Sequence, residues 1–158
     1  HEGLAAQFAK HSIERRYLAI VAGQPMPRSG RIDAPLARSA TNRKKMAIVG
    51  EGRGKRAVTT YRNLCDLRSA AFVECRLETG RTHQVRVHMA SIGHPLLGDP
   101  VYGRARPEHR DVLKSLNFHR QALHAAALGF VHPVSKENLT FESPLPSDIQ
   151  ELKAALAV

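Results

Sequence analysis

Tryptophan is missing from this 158-residue sequence, aromatic residues make up only 5% of it, and there are just two cysteines. Each shortage excludes something. Cys65 and Cys75 are too few for a disulfide framework and wrongly spaced for a C-x-x-C redox or zinc motif. Both fall in strand-like apolar patterns and read as buried free thiols of a reducing cytosol, so a cytoplasmic protein is expected. No apolar run approaches the ~20 residues that a membrane-spanning helix needs. No basic-then-apolar leader opens the sequence, which starts at His1 rather than Met and is read as part of a longer protein. No G-x-S-x-G, G-x-G-x-x-G or P-loop occurs; Gly50-Glu51-Gly52-Arg53-Gly54 lacks the Lys-Ser/Thr sequel and reads as a flexible turn.

Acidic residues are also scarce. Fourteen Asp and Glu face 24 Lys and Arg, a net charge of +10. A domain this basic usually meets a polyanion, most often nucleic acid. A membrane surface fits less well, because no strongly amphipathic basic helix stands out. Apolar residues at 42% suffice for the core of a single domain.

Periodicity predicts a helix over 3–14, a strand over 16–21 and a loop through the prolines of 25–36. Residues 38–56 then carry Arg38, Arg43, Lys44, Lys45, Arg53, Lys55 and Arg56 against Glu51 alone. A strand over 46–49 and a glycine-rich tip at 50–54 make this a candidate basic finger for a phosphate backbone; a merely solvated loop is the alternative. Strands are expected over 57–64 and 72–78, joined by 62–71, since Val73, Cys75 and Leu77 alternate with Glu74, Arg76 and Glu78. A helix over 82–92 would be capped by Thr82 and stopped by Gly93 and Pro95. A second helix is expected over 107–117 and strands over 123–131 and 139–142. The last helix, 147–157, opens on a Ser147-x-x-Gln150 capping box. The order of elements points to an α+β domain with a mixed, mostly antiparallel sheet and flanking helices.

The densest polar stretch, Glu78-Thr79-Gly80-Arg81-Thr82-His83-Gln84-Val85-Arg86-Val87-His88, spans a strand-to-helix junction, where free backbone N–H groups favour anions. Arg81 there could pair a carboxylate or a phosphate, and His83 and Arg86 add charge. His83, His88 and His94 are the obvious metal candidates, but their spacings do not share one helix face, so no metal site is expected.

That run, with Leu77 before it and Met89 after it, followed by Gly93-His94-Pro95-Leu96-Leu97-Gly98-Asp99-Pro100-Val101-Tyr102-Gly103, resembles the pseudouridine synthases that modify large-subunit ribosomal RNA. Arg15 to Gly23 is similar to that family's tyrosine-bearing strand, Lys55 to Tyr61 to its basic-Ala-Val-Thr-x-Tyr strand, and Arg120 to Ala125 with His132-Pro133 to its closing strands. The resemblance covers essentially all 158 residues. It implies isomerisation of uridine in RNA, by detaching uracil and rejoining it through C5, without metal or organic cofactor. The family's tyrosine falls on Tyr17 and its aspartate-pairing arginine on Arg81. The two are expected to converge on one slot.

The family's nucleophilic aspartate lies in a His-Arg-Leu-Asp motif that does not occur here. Asp33, Asp66, Asp99, Asp111 and Asp148 match no such motif, and Asp99 reads as structural. The chain is therefore expected to be the C-terminal portion of one catalytic domain, with the 38–56 finger inserted in it, and to be inactive alone. Arg43, Lys44, Lys45, Arg53, Lys55, Arg56, His83 and Arg86 are the candidate RNA contacts; His83, Gln84 and Arg86 could equally position Arg81. Large-subunit ribosomal RNA is the expected partner, with no membrane, and a monomer is expected. A non-catalytic RNA-binding module or a ribosomal-type basic protein are the alternatives.

Overall fold

The computed structural model describes residues 14–158. The helix expected over 3–14 lies outside them except at Glu14, which opens a strand instead. Eight strands follow in chain order: β1 (Glu14–Ala22), β2 (Ser29–Asp33), β3 (Leu36–Arg38), β4 (Met46–Ile48), β5 (Val58–Leu67), β6 (Ala70–Leu77), β7 (Leu123–Val131) and β8 (Asn138–Glu142). Three helices interrupt or close them: α1 (Gln84–Ser91), α2 (Pro107–Ser115) and α3 (Ser147–Ala155).

Six strands form one sheet in the order β2-β5-β6-β1-β7-β8, and β3 and β4 form a separate hairpin. The fold is α+β, and every ladder among the described residues is antiparallel, so the mixed character expected of the sheet is absent there.

β1 is central, and its alternation sorts the core. Ile20 and Ala22 face α2 and α3 together with Phe72, Leu113, Ile149 and Leu152. Tyr17, Ala19 and Val21 face the other way, toward Val73, Cys75, Leu77 and the Val85 and Met89 of α1. Tyr17 and α1 thus share one face of the sheet.

Several expected boundaries moved. The loop expected over 25–36 contains β2 and the start of β3; in β2 only Ile32 is buried, so alternation is too short to register. β5 runs three residues past Leu64, leaving only Arg68 and Ser69 as the turn into β6, with Ser69 at φ 51°. A bulge between Asn63 and Cys65 shifts the register there, and both Leu64 and Cys65 come out exposed. Cys65 is accordingly not the buried thiol expected, whereas Cys75 is buried and its thiol is pushed up to about 12 by desolvation, assisted by Glu74.

Two caps also differ. α1 begins after His83, held at φ 58°, rather than on Thr82, and no side chain caps it. α3 follows Pro146, and the expected Ser147–Gln150 box does not form; Gln150 turns back to the carbonyl of Leu145.

Candidate functional site: the β6–α1 turn and the basic hairpin

The turn from β6 into α1 is fixed by one buried amide. Gln84 Oε1 accepts the Thr79 hydroxyl (2.7 Å) and the backbone N–H of Arg81 (3.0 Å). Its Nε2 donates to the Val58 carbonyl (2.9 Å) and to Thr59 Oγ1 (3.0 Å). All four hydrogen-bonding positions of this side chain are used, so the Thr79–Arg81 backbone is pinned to β5. The chain of bonds continues through Thr59 to His88, whose Nδ1 lies 2.8 Å from Thr59 Oγ1 and whose Nε2 lies 2.9 Å from the Ala34 carbonyl. Burial holds the His88 imidazole below the ordinary histidine range, so it stays neutral.

Arg81 itself leaves the turn partly exposed. Its Nε donates to the carbonyl of Arg56 (2.7 Å), which aims the guanidinium along the wall of a cavity of about 550 Å³. Arg38, Arg53 and Lys55 of the basic segment line the same cavity, with Leu36 and Met46 as its apolar side. Four cations around one cleft make an anion-binding surface.

The segment is folded as two turns rather than one glycine tip. β3 and β4 are joined across residues 39–45, where Ser39 Oγ accepts the N–H groups of Thr41 and Asn42, and this turn presents Arg43 and Lys44 to solvent. Gly50–Gly54 makes a later turn that folds back on Leu36.

Tyr17 lines a neighbouring depression of about 360 Å³ with Ala125, Ala127, Leu128 and Phe141. Arg15, two residues earlier on the same face, lines it as well. The Arg15 guanidinium lies over Gly80: a Cβ at position 80 would sit 3.1 Å from Arg15 Cζ, so any larger residue there would have to push the guanidinium aside. Burial lowers the Arg15 pKa, and Tyr17 and Arg81 both act on it electrostatically, in opposite senses. Tyr17 and Arg81 are therefore on one face but in adjoining depressions, with Arg15 and Gly80 between them, not in the single slot expected. Arg15 was not a candidate from sequence. Its place two residues before Tyr17 on a strand, hence on the same face, was the available signal.

Other candidates are engaged elsewhere. Arg56 pairs with Glu78 (2.9 Å). Lys45 stands 5.6 Å from the centre of the Tyr102 ring. Arg86, expected on RNA, is buried: its Nε and Nη2 meet the two Asp99 carboxylate oxygens at 2.8 and 2.9 Å. Asp99 also accepts the N–H groups of Val101 and Tyr102. Burial by itself would raise the Asp99 pKa, but these bonds outweigh it and hold the carboxyl below its ordinary value. Asp33, Asp66 and Asp148 sit in surface pairs with Arg31, Arg28 and Arg120. Among the described residues no three His, Cys, Asp or Glu side chains gather as a metal site.

Comparison with known proteins agrees with this architecture. Residues 1–91 match the family model of RNA pseudouridylate synthases. The chain is 63% identical over its whole length to the ribosomal large subunit pseudouridine synthase D of Zymomonas mobilis subsp. mobilis, covering 50% of that protein. It is 45% identical over 152 residues to an uncharacterized RNA pseudouridine synthase of Bacillus subtilis, covering 96% of this chain and 47% of the relative. Among solved structures, human RNA pseudouridylate synthase domain containing 4 superposes with a TM-score of 0.77 at 26% identity, over 98% of this chain and 66% of that one. The chain belongs to the RNA pseudouridylate synthase family, and it spans about half the length of the curated relatives it matches.

Proposed function

We propose that this chain is the C-terminal portion of a catalytic domain that isomerises uridine to pseudouridine in large-subunit ribosomal RNA. The observation that carries this reading is the grouping of Tyr17, Arg15 and Arg81 on one sheet face, beside a cleft lined by Arg38, Arg53 and Lys55. A uridine in a folded RNA must be extruded to be reached, at a cost of about a few kcal/mol. Phosphate contacts from the basic hairpin and stacking of the base on Tyr17 offset that cost. The reaction breaks N1–C1′, forms C5–C1′, and moves one proton from C5 to N1, so nothing is consumed. Tyr17 supplies a flat apolar face with a phenolic O–H for the pyrimidine. Arg81 supplies a guanidinium to hold the family's aspartate ionised and oriented.

That aspartate is not one of this chain's five, so the 158 residues alone bind RNA without turning it over. The test replaces the matching half of the Zymomonas mobilis relative by this chain and measures pseudouridine in unmodified large-subunit ribosomal RNA. The chimera should form pseudouridine and the isolated chain should not. Arg81→Ala in the chimera should lose at least about a hundredfold in turnover, as for other groups that stabilise reacting charge, with RNA affinity within several-fold. Turnover by the isolated chain, or by the Arg81→Ala chimera, overturns the assignment.

A further inference from the structure

The turn that carries Arg81 follows β6 of the six-stranded sheet and the β3–β4 hairpin, with Arg38, Arg43, Lys44 and Lys45, is a separate sheet, yet both line one cleft. One hydroxyl makes hydrogen bonds toward both. The backbone N–H of Met46, on β4, donates to Tyr102 Oη (2.8 Å). The same oxygen lies 2.6 Å from His83 Nδ1, at the start of α1. With Met46 donating to it, the Tyr102 hydroxyl has its own proton free for His83 Nδ1. The ring is held from several sides: the Arg86 guanidinium lies 4.9 Å from its centre, the His83 ring meets it edge-on at 5.4 Å, and Lys45 stands over it. Its backbone is tied to Asp99, whose turn needs Gly98 at φ 75°, because a Cβ there would lie 2.1 Å from the Arg120 carbonyl. The buried Arg86–Asp99 pair thus ends in an aromatic arm that reaches back to both walls of the cleft.

We propose that Tyr102 is a positioning residue, whose hydroxyl latches the basic hairpin to the Arg81 turn and so sets the register in which a bound RNA strand meets Arg81. This rests on the function proposed above. The hairpin has few other ties to the body of the fold: a bridge from Leu36 to Lys55 and the packing of Leu36 and Met46 on Ala57 and Val87. Without the latch the cations all remain, so RNA still binds by charge, but a smaller fraction binds with the uridine in place. A latch therefore appears in kcat, whereas a direct RNA contact appears in KM.

Tyr102→Phe removes the hydroxyl and keeps the ring over Arg86. Hydrogen exchange at the Met46 amide, measured on the 158-residue chain, should accelerate at least tenfold. In the chimera kcat should fall about tenfold or more, with KM and the salt dependence of RNA binding within twofold and the melting temperature within a few degrees. His83→Ala should lower kcat in the same way, and the double variant should be no worse than the poorer single one. An unchanged Met46 exchange rate overturns the latch. So does faster exchange with unchanged kcat, which would make the contact structural only, or a His83→Ala defect confined to KM. If the unaltered chimera forms no pseudouridine, the proposed function fails on its own account, and an unchanged Met46 exchange rate still decides against the latch.

Discussion

Removing the Arg86–Asp99 pair offers the sharpest check on where Arg86 points. The two side chains are 9% and 0% exposed and joined by two charge-assisted hydrogen bonds. Arg86→Met takes away the cation and leaves a buried carboxylate with only the Val101 and Tyr102 N–H groups. Breaking one side of a buried pair costs about 3–5 kcal/mol. For a chain of this size each kcal/mol is worth roughly 2–4 °C, so the melting temperature should fall by roughly 10 °C. Asp99→Asn should cost a similar amount, by stranding the guanidinium. Asp99→Ala should cost more, because two backbone N–H groups also lose their acceptor.

The double variant Arg86→Met/Asp99→Asn should cost less than the sum of the singles, since no unpaired charge remains. The pH dependence has a definite sign. In the native protein the depressed Asp99 pKa contributes stability that is present above the ordinary carboxyl value and lost as pH falls through the folded one. In Arg86→Met burial dominates and raises that pKa, so the gap between the two proteins should be widest at neutral pH and narrow toward pH ~3. Urea titrations from pH 7 to pH 3 measure it. A loss under about 1 kcal/mol, together with weakened RNA binding, would refute the buried pair and return Arg86 to the RNA surface.

Two further outcomes concern charge. Arg43→Ala with Lys44→Ala, at the exposed hairpin tip, should flatten the slope of log K against log salt by about 1.4–1.8 for a ribosomal stem-loop, if each meets one phosphate; an unchanged slope removes the tip from the interface. His88 is buried between Thr59 and the Ala34 carbonyl with its pKa lowered, so its stabilisation is complete above the ordinary histidine value of about 6.5 and is lost as pH falls toward the folded value. His88→Gln should lower stability at pH 7.5 and weaken its pH dependence below pH 6.5 in denaturant titrations; an unchanged dependence would assign it to other histidines.

Near neighbours in the chain were legible where a regular element repeats its contacts. The shared face of Val73, Cys75 and Leu77 and the strongly basic charge of residues 38–56 follow from short-range pattern and appear in the fold, but Glu74, expected to alternate outward with Arg76, is buried and held by Arg16, Arg62 and Arg76. The family likewise follows from the motif spanning 77–103. Where one residue interrupts a pattern, the reading failed. The bulge at Asn63–Cys65 exposes a cysteine that strict alternation would bury, and β2 is a strand because β5 lies beside it, not because of its own sequence. The difference between Arg86 and Arg81 was out of reach for the same reason: both are arginines at the head of one helix, five residues apart. By itself the sequence determined most of the helical and strand segments, β2 and β3 excepted, and where the charge is concentrated, because those depend on neighbours along the chain. Only the tertiary structure decided that Arg86 turns inward to Asp99, that Arg15 stands between Tyr17 and Arg81, and that Tyr102 joins hairpin to helix, because each depends on a partner brought close by folding.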